Sequence, residues 1–265
     1  MLFKPLFISI VLVAASCNNN VLSSAKEEKP GGIGNPGNNP YAHINDIPLP
    51  EGFIRKTDYP DSFPRFLRNI ELKKNKTVYQ FNGLPKRNQS AQFAVLNISV
   101  GNKDQQQCAD AVMRLRAEYL FAGKQFEQLV FNDNDGTAYK FVPPYTRDNF
   151  NKYLERVFGM CGTASLSKTL NPVEFSGIQP GDILIRGGFP GHAVIVMDVA
   201  VNSAGEKIYL LAQSYMPAQD IHIVVNPANS ALSPWYEVKD SFIPTPEWGF
   251  ETSQLKKWPA PNGLK

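Results

Sequence analysis

Residues 181–199, GDILIRGGFPGHAVIVMDV, constrain the fold more than any other part of this 265-residue chain. Asp182 to Ile185 is a short apolar run, Gly187-Gly188-Phe189-Pro190-Gly191 reads as a turn, and Ala193 to Ala200 is a longer apolar run. Glycine and proline allow the backbone to reverse there, so the segment predicts two antiparallel strands. Ile208 to Gln213 follows across the loop Asn202-Ser203-Ala204-Gly205, and Ile221 to Val225 adds another strand. Together these runs predict an antiparallel meander. His192 stands at the mouth of its second strand, where an imidazole can face a cleft while Val194, Ile195 and Val196 anchor the strand below.

A second feature gives that imidazole a partner. Cys108 opens a helix in DQQQCADAVMRLRAEYL. Asp104 and Gln107 have capping-box spacing, with Asp104 as the expected cap. Cys108, Val112, Leu115 and Tyr119 then recur at helical steps on one face, and Arg114, Arg116 and Glu118 lie away from it. The free thiol titrates near ~8.5, and a helix N-terminus or an imidazolium favours the thiolate. The competing reading is a small core residue, because Cys108 shares its face with Val112 and Leu115. Cys108 and Cys161 are also a candidate disulfide in an oxidising compartment, which would remove the nucleophile.

A base normally needs a third group to orient it. Pairing Val194 with Gln213 puts Gln213 one diagonal step from His192, and its amide oxygen can accept the ring N–H. A slip of one residue would present Ser214 instead. Asn226 is a more distant option. For an oxyanion, the Cys108 backbone N–H is the natural donor, with the Gln107 side chain as support. Asp220 and His222 share a strand face, but no third ligand is spaced to help and neither HExxH nor CxxC is present, so no metal is expected. No other cofactor is implied either.

Elsewhere the pattern predicts helices and strands in separate stretches, an α+β arrangement. After His43-Ile44-Asn45-Asp46 and the Pro-rich Ile47 to Pro50, Ser62 caps a short helix carrying Phe63, Phe66, Leu67 and Ile70. Val78 to Phe81 predicts a strand, and Phe93 to Val100 a half-buried strand with Ala94, Leu96, Ile98 and Val100 inward. Residues 125–145 read as strand and loop. Phe150, Tyr153, Leu154, Val157 and Phe158 mark a second amphipathic helix ended by Gly159.

The N-terminus predicts export. Lys4 precedes an apolar run from Leu6 to Ala15, too short to cross a membrane as a mature helix. Ala14-Ala15-Ser16-Cys17 resembles the lipobox of bacterial lipoproteins. That resemblance implies cleavage after residue 16, acylation of Cys17, and a membrane partner held through lipid. Residues 17–40 form the lipid anchor and a flexible Asn/Gly/Ser/Pro tether. Residues 41–265 are expected to form one domain, whose core can draw on 17 Phe and 10 Tyr. Losing residues 1–16 removes Lys4 alone and takes the net charge from +3 to +2. With no basic stripe, nucleic acid is excluded as the main partner. The sequence sets no oligomeric state.

The blocks QQQCADAVMRLRAEYL, GDILIRGGFPGHAVIVMDVA, LLAQSYMPAQDIHI and SPWY resemble an uncharacterised bacterial lipoprotein family, domain-of-unknown-function family 4846, over about residues 43–255. A broader resemblance, over about 104–120 and 181–214, is to papain-like cysteine amidases of the CHAP and NlpC kind. It implies a helix carrying the cysteine packed on an antiparallel sheet carrying the histidine, here with an N-terminal αβ extension. It also implies catalytic roles for Cys108, His192 and Gln213. Asp110 so close to the cysteine, the lack of small residues around it, and the long segment before His192 depart from that pattern.

Two functions follow. One is a lipid-anchored cysteine amidase or peptidase acting on cell-wall peptide. The other is a non-catalytic envelope lipoprotein binding peptide, glycan or a protein, with Tyr215 to Gln219 and Pro234-Trp235-Tyr236 as contacts. The predicted site is on the periplasmic or cell-surface side.

Overall fold

Nine consecutive residues, from His192 to Ala200, are buried in the eleven-residue strand His192–Asn202. Their near-continuous apolar sequence follows from burial on both sides. Ala193, Ile195 and Met197 join one apolar core, and Val194 and Val196 join a second. Each such side chain contributes about 1.5–3 kcal/mol through burial. The computed structural model describes residues 37–239 and 242–260. The expected signal segment 1–16 and the anchor at Cys17 lie outside the described residues, as does most of the 17–40 tether.

In chain order the strands are β1 (Phe53–Arg55), β2 (Gln92–Val95), β3 (Val130–Asn132), β4 (Ala138–Lys140), β5 (Asn171–Pro172), β6 (Ile183–Arg186), β7 (His192–Asn202), β8 (Lys207–Gln213), β9 (His222–Val224), β10 (Tyr236–Glu237), β11 (Phe242–Pro244), β12 (Gly249–Glu251) and β13 (Leu255–Lys257). The helices are α1 (Phe63–Arg68), α2 (Cys108–Ala122), α3 (Arg147–Met160) and α4 (Thr163–Thr169). The chain is thus α+β. The main sheet of the described residues runs β2-β9-β8-β7-β6-β13-β5, with β1 added to β7 and β10 to β8. All its pairings are antiparallel.

The predicted meander is β6-β7-β8-β9. Ile195 opposes Ala212, the register that sets Val194 opposite Gln213. The register shifts between Val196 and Asp198, a bulge at the one acid in the apolar run. Helix α2 packs on the first core through Val112, Met113, Leu115 and Leu120. It is buried on more sides than its single predicted face, because Ala109, Ala111 and Ala117 are also enclosed. The predicted outward Arg116 stacks over the Phe63 and Tyr119 rings, at 5.1 and 5.3 Å.

The N-terminal elements join the domain directly: Phe53 to Arg55 pair with Asn202 to Ala200. Ser62 caps α1 by accepting from Arg65 N. Several expectations need correction. Val78 to Phe81 makes isolated bridges at Tyr79 and Gln80 rather than a strand. Helix α3 continues through Gly159 to Met160, and Cys161 terminates it. Helix α4 and strands β10 to β13 were not anticipated; at two to seven residues they are too short to show periodicity.

Candidate active site

Cys108 is the first residue of α2. The cap is Gln107, not Asp104 as expected. Gln107 N donates to Asp110 Oδ2 at 3.0 Å, so the capping box is shifted by three residues. Asp104 has another task. Its Oδ1 accepts from Gln107 Nε2 at 3.0 Å and from Ala218 N at 2.7 Å. Ser214 Oγ reaches Gln106 O at 2.9 Å and Gln219 O at 2.8 Å. These bonds fasten the start of α2 to the segment that leaves β8. They also fix the roles of two predicted supports: Ser214 ties backbone to backbone, and the Gln107 amide is held by Asp104.

This attachment brings Cys108 to the mouth of β7. Its sulfur faces the backbone N–H groups of Ala109 and of Ala193, the residue after His192. Cys108 is 6% exposed and lines a cleft of about 580 Å³. Asp110, Cys161, Thr163, Phe189 and Met216 line the same cleft. Phe189 is 94% exposed at its rim. The turn bearing Phe189 docks against α4: Thr163 Oγ1 donates to Gly188 O at 3.2 Å. A Cβ at Gly191 would collide with Thr163 Oγ1 and the carbonyls of Gly188 and Arg186, so that position requires glycine. Both described cysteines are free thiols, so the candidate Cys108–Cys161 disulfide is absent.

His192 is 1% exposed. Strand alternation puts its ring on the face of Val194 and Val196, the second core. There it packs against Tyr215, Trp248 and Phe250, with ring centroids 5.0, 5.4 and 5.8 Å away. Its Nε2 lies 3.0 Å from Gln213 Oε1, as the register predicts. Gln213 Nε2 in turn donates to Glu247 Oε2 at 2.7 Å and contacts His222 Nε2 at 3.4 Å. Lys86 Nζ bonds Glu247 Oε2 at 2.8 Å and reaches His222 Nε2 at 3.4 Å. His222 Nδ1 donates to Asp220 O at 2.9 Å.

Donor and acceptor chemistry orients this chain of bonds. A carboxylate only accepts, so the Gln213 amide must turn its NH₂ to Glu247 and its oxygen to His192. His192 Nε2 therefore carries the proton, and Nδ1 keeps its lone pair. Nδ1 is buried without a hydrogen-bond partner, as is the neighbouring Trp248 Nε1. The Cys108 sulfur is therefore not hydrogen-bonded to Nδ1 in this state.

Burial sets the protonation of both groups. It pushes the Cys108 thiol up to about 11, opposed by the N–H groups of Ala109 and Ala193 and reinforced by the Asp110 charge. The helix N-terminus was expected to favour thiolate; desolvation outweighs it. His192 is driven down to about 4 by burial, with the Gln213 bond opposing and the Lys86 charge assisting. At neutral pH the pair is a neutral thiol and a neutral imidazole. Asp110 is raised by burial, and its Oδ1 has no partner.

Other expectations resolve differently. Asn226 stays away from His192 and folds a turn, donating to Trp235 O at 2.8 Å. Trp235 and Tyr236 are core residues rather than contact residues. The Asp220 carboxylate takes Lys73 Nζ at 2.9 Å and Tyr79 N at 3.0 Å. Among the described residues no cluster of three metal-ligating side chains occurs. Sequence reasoning missed Glu247 and Lys86. The only signal for Glu247 is an acid set among Pro246, Trp248 and Phe250; Lys86 has none.

The family model described as domain of unknown function (4846) matches residues 44–143 and 139–257. Neither the curated proteins nor the solved structures contain a match. The two matched stretches take in the α2 start, the β6–β7 turn and Gln213, and the chain belongs to the family of domain of unknown function (4846).

Proposed function

We propose that this protein is a lipid-anchored protein of the bacterial cell envelope with a cysteine amidase or peptidase site, acting on cell-wall peptide or a related amide. The papain-like reading of the fold belongs to the same proposal. It rests on the order of a helix-start Cys108, a strand-start His192 and a polar Gln213. The anchor rests on the sequence around Cys17. One observation carries the hydrolase reading: His192 is locked as the Nε2–H tautomer, with its Nδ1 lone pair unused, next to the residue whose N–H faces the Cys108 sulfur.

In that reading substrate seats in the cleft and the Cys108 sulfur closes on Nδ1, a contact that tightens when substrate binds. The sulfur attacks the amide carbonyl carbon as its proton passes to Nδ1. The backbone N–H groups at the α2 start face the developing oxyanion. The C–N bond then breaks, and the amine leaves with the proton from Nδ1. Water next attacks the thioester and gives a proton to Nδ1. The acid departs, and the proton returns to sulfur.

The test is alkylation of the folded full chain by iodoacetamide in a Cys161→Ser background, with the adduct located by mass spectrometry. The expected result is labelling of Cys108 that falls at least about tenfold in His192→Ala. Equal labelling of that variant overturns the hydrolase. A second reading, a non-catalytic binding protein, is favoured by the shielded sulfur and by the apolar rim of Phe189, Met160 and Met216. It predicts labelling independent of His192.

A further inference from the structure

Behind Gln213 lies an ion pair that the mechanism above does not use. Lys86 is 6% and Glu247 13% exposed at the side chain, and their atoms meet at 2.8 Å. The pair comes from two segments far apart in sequence, yet both members touch the polar groups that hold His192. Glu247 takes the Gln213 amide at 2.7 Å, and Lys86 and Gln213 both point at His222 Nε2 at 3.4 Å.

We propose that Glu247 and Lys86 are positioning residues for His192, Glu247 by fixing the orientation of the Gln213 amide and thereby the imidazole tautomer, and Lys86 by balancing the Glu247 charge beside the ring. The inference deepens the hydrolase reading and rests on it for its purpose. If Gln213 were flipped, its oxygen would face the Glu247 carboxylate and the His222 lone pair, and its NH₂ would face His192. Three acceptors would then meet without a proton, so Glu247 excludes that arrangement. The groups around His192 are Gln213 at the end of β8, Tyr215 just after it, Glu247 before β12 through the Gln213 amide, Lys86 in the loop before β2 and His222 on β9, while the Cys108 sulfur lies against the N–H of the adjacent Ala193. Tyr215 is pushed up and His222 is held neutral, so Lys86 and Glu247 carry the charge nearest the ring.

The sign of the charge then decides the behaviour. Lys86→Met leaves an uncompensated carboxylate and favours the imidazolium. Glu247→Gln leaves an uncompensated ammonium and disfavours it. A residue that merely supports packing would move both variants in the same direction.

The experiment is long-range ¹H–¹⁵N NMR of the histidine rings in the full chain, with titration from pH 8 to pH 3. The wild type is expected to show His192 as the Nε2–H form. Lys86→Met is expected to move the His192 midpoint up by about one pH unit, Glu247→Gln to move it down or below the range, and Lys86→Arg to leave it in place. A wild-type ring protonated on Nδ1 overturns the proposal, even where a variant fails to fold. So do shifts of the same sign in Lys86→Met and Glu247→Gln. The hydrolase reading fails separately, on thiol labelling that ignores His192 while the ring spectra still report the tautomer.

Discussion

Strand β7 carries two buried polar clusters, one at its start and one at its bulge, and they differ in completeness. At the bulge, Asp198 is fully buried, and it accepts from Arg55 Nε at 2.6 Å, Arg68 Nε at 2.5 Å and Val199 N at 2.8 Å. The remaining guanidinium groups bond the Ile47, Lys56 and Val199 carbonyls and the Asp58 carboxylate. None of these side chains has an orphaned atom. At the start of the strand, His192, Gln213, Glu247, Lys86 and His222 are equally well bonded apart from His192 Nδ1. A buried group left unpaired costs about 1–3 kcal/mol. Strand β7 therefore sets a buried polar cluster whose side-chain atoms are all partnered beside one that leaves a single ring nitrogen unpaired.

The largest expected effect tests the complete cluster. Asp198→Ala removes the acceptor for the buried Arg68 and the half-buried Arg55 guanidinium groups, and breaking a buried pair in this way costs about 3–5 kcal/mol. Urea unfolding should show that loss without altered thiol labelling at Cys108. Normal stability would mean that the Asp198 cluster is no more structural than the His192 cluster.

The second effect is acid sensitivity at the incomplete end. Folded His192 titrates at about 4 and His222 at about 3, both below the ordinary value of 6.5. Below pH 6.5 the unfolded chain binds protons that the folded chain refuses, so stability falls as pH drops toward 4. Asp182, raised to about 6 by burial, acts the other way, because folding favours its proton between its ordinary value and 6. His192→Gln should flatten the wild-type loss between pH 6.5 and pH 4.5 by on the order of 2–3 kcal/mol. Urea midpoints across that window read the difference, and parallel curves for the two proteins would refute the burial of a neutral imidazole. Gln213→Ala ranks next. It strands the buried His192 Nε2–H, which donates to Gln213 Oε1, at a cost of about 1–3 kcal/mol, measured the same way.

The sequence makes one end of β7 legible and hides much of the other. The turn 187–191, the apolar run and the Asn202–Gly205 loop define the meander because period-two strands with glycine punctuation are local signals. His192 and Gln213 follow from register alone. Asp198 stands as a lone acid in an apolar run, but its Arg55 and Arg68 partners lie 143 and 130 residues away. Lys86 and Glu247 are separated from each other by 161 residues. Long-range ion pairs leave no periodic trace. The displaced cap of α2 is a different failure: Asp104, Gln107 and Asp110 offer two capping boxes three residues apart, and the fastening of Asp104 to Ala218 selects the second.

That selection leads to the smallest prediction. Because Gln107 is the cap, Asp110 is drawn under the first turn with Oδ2 on Gln107 N and Oδ1 unpaired at the cleft. Its charge helps hold the Cys108 thiol up near about 11. Asp110→Asn keeps an oxygen for the cap and removes the charge. The thiol should then titrate lower, and alkylation at pH 9 should quicken by up to about tenfold, the equivalent of ~1.4 kcal/mol. Circular dichroism guards against a lost helix. A quickening that survives in His192→Ala would show that Asp110 acts on the sulfur directly. An unchanged rate would assign the raised thiol to burial alone, and would make the unpaired Oδ1 a product of helix capping with no influence on the sulfur.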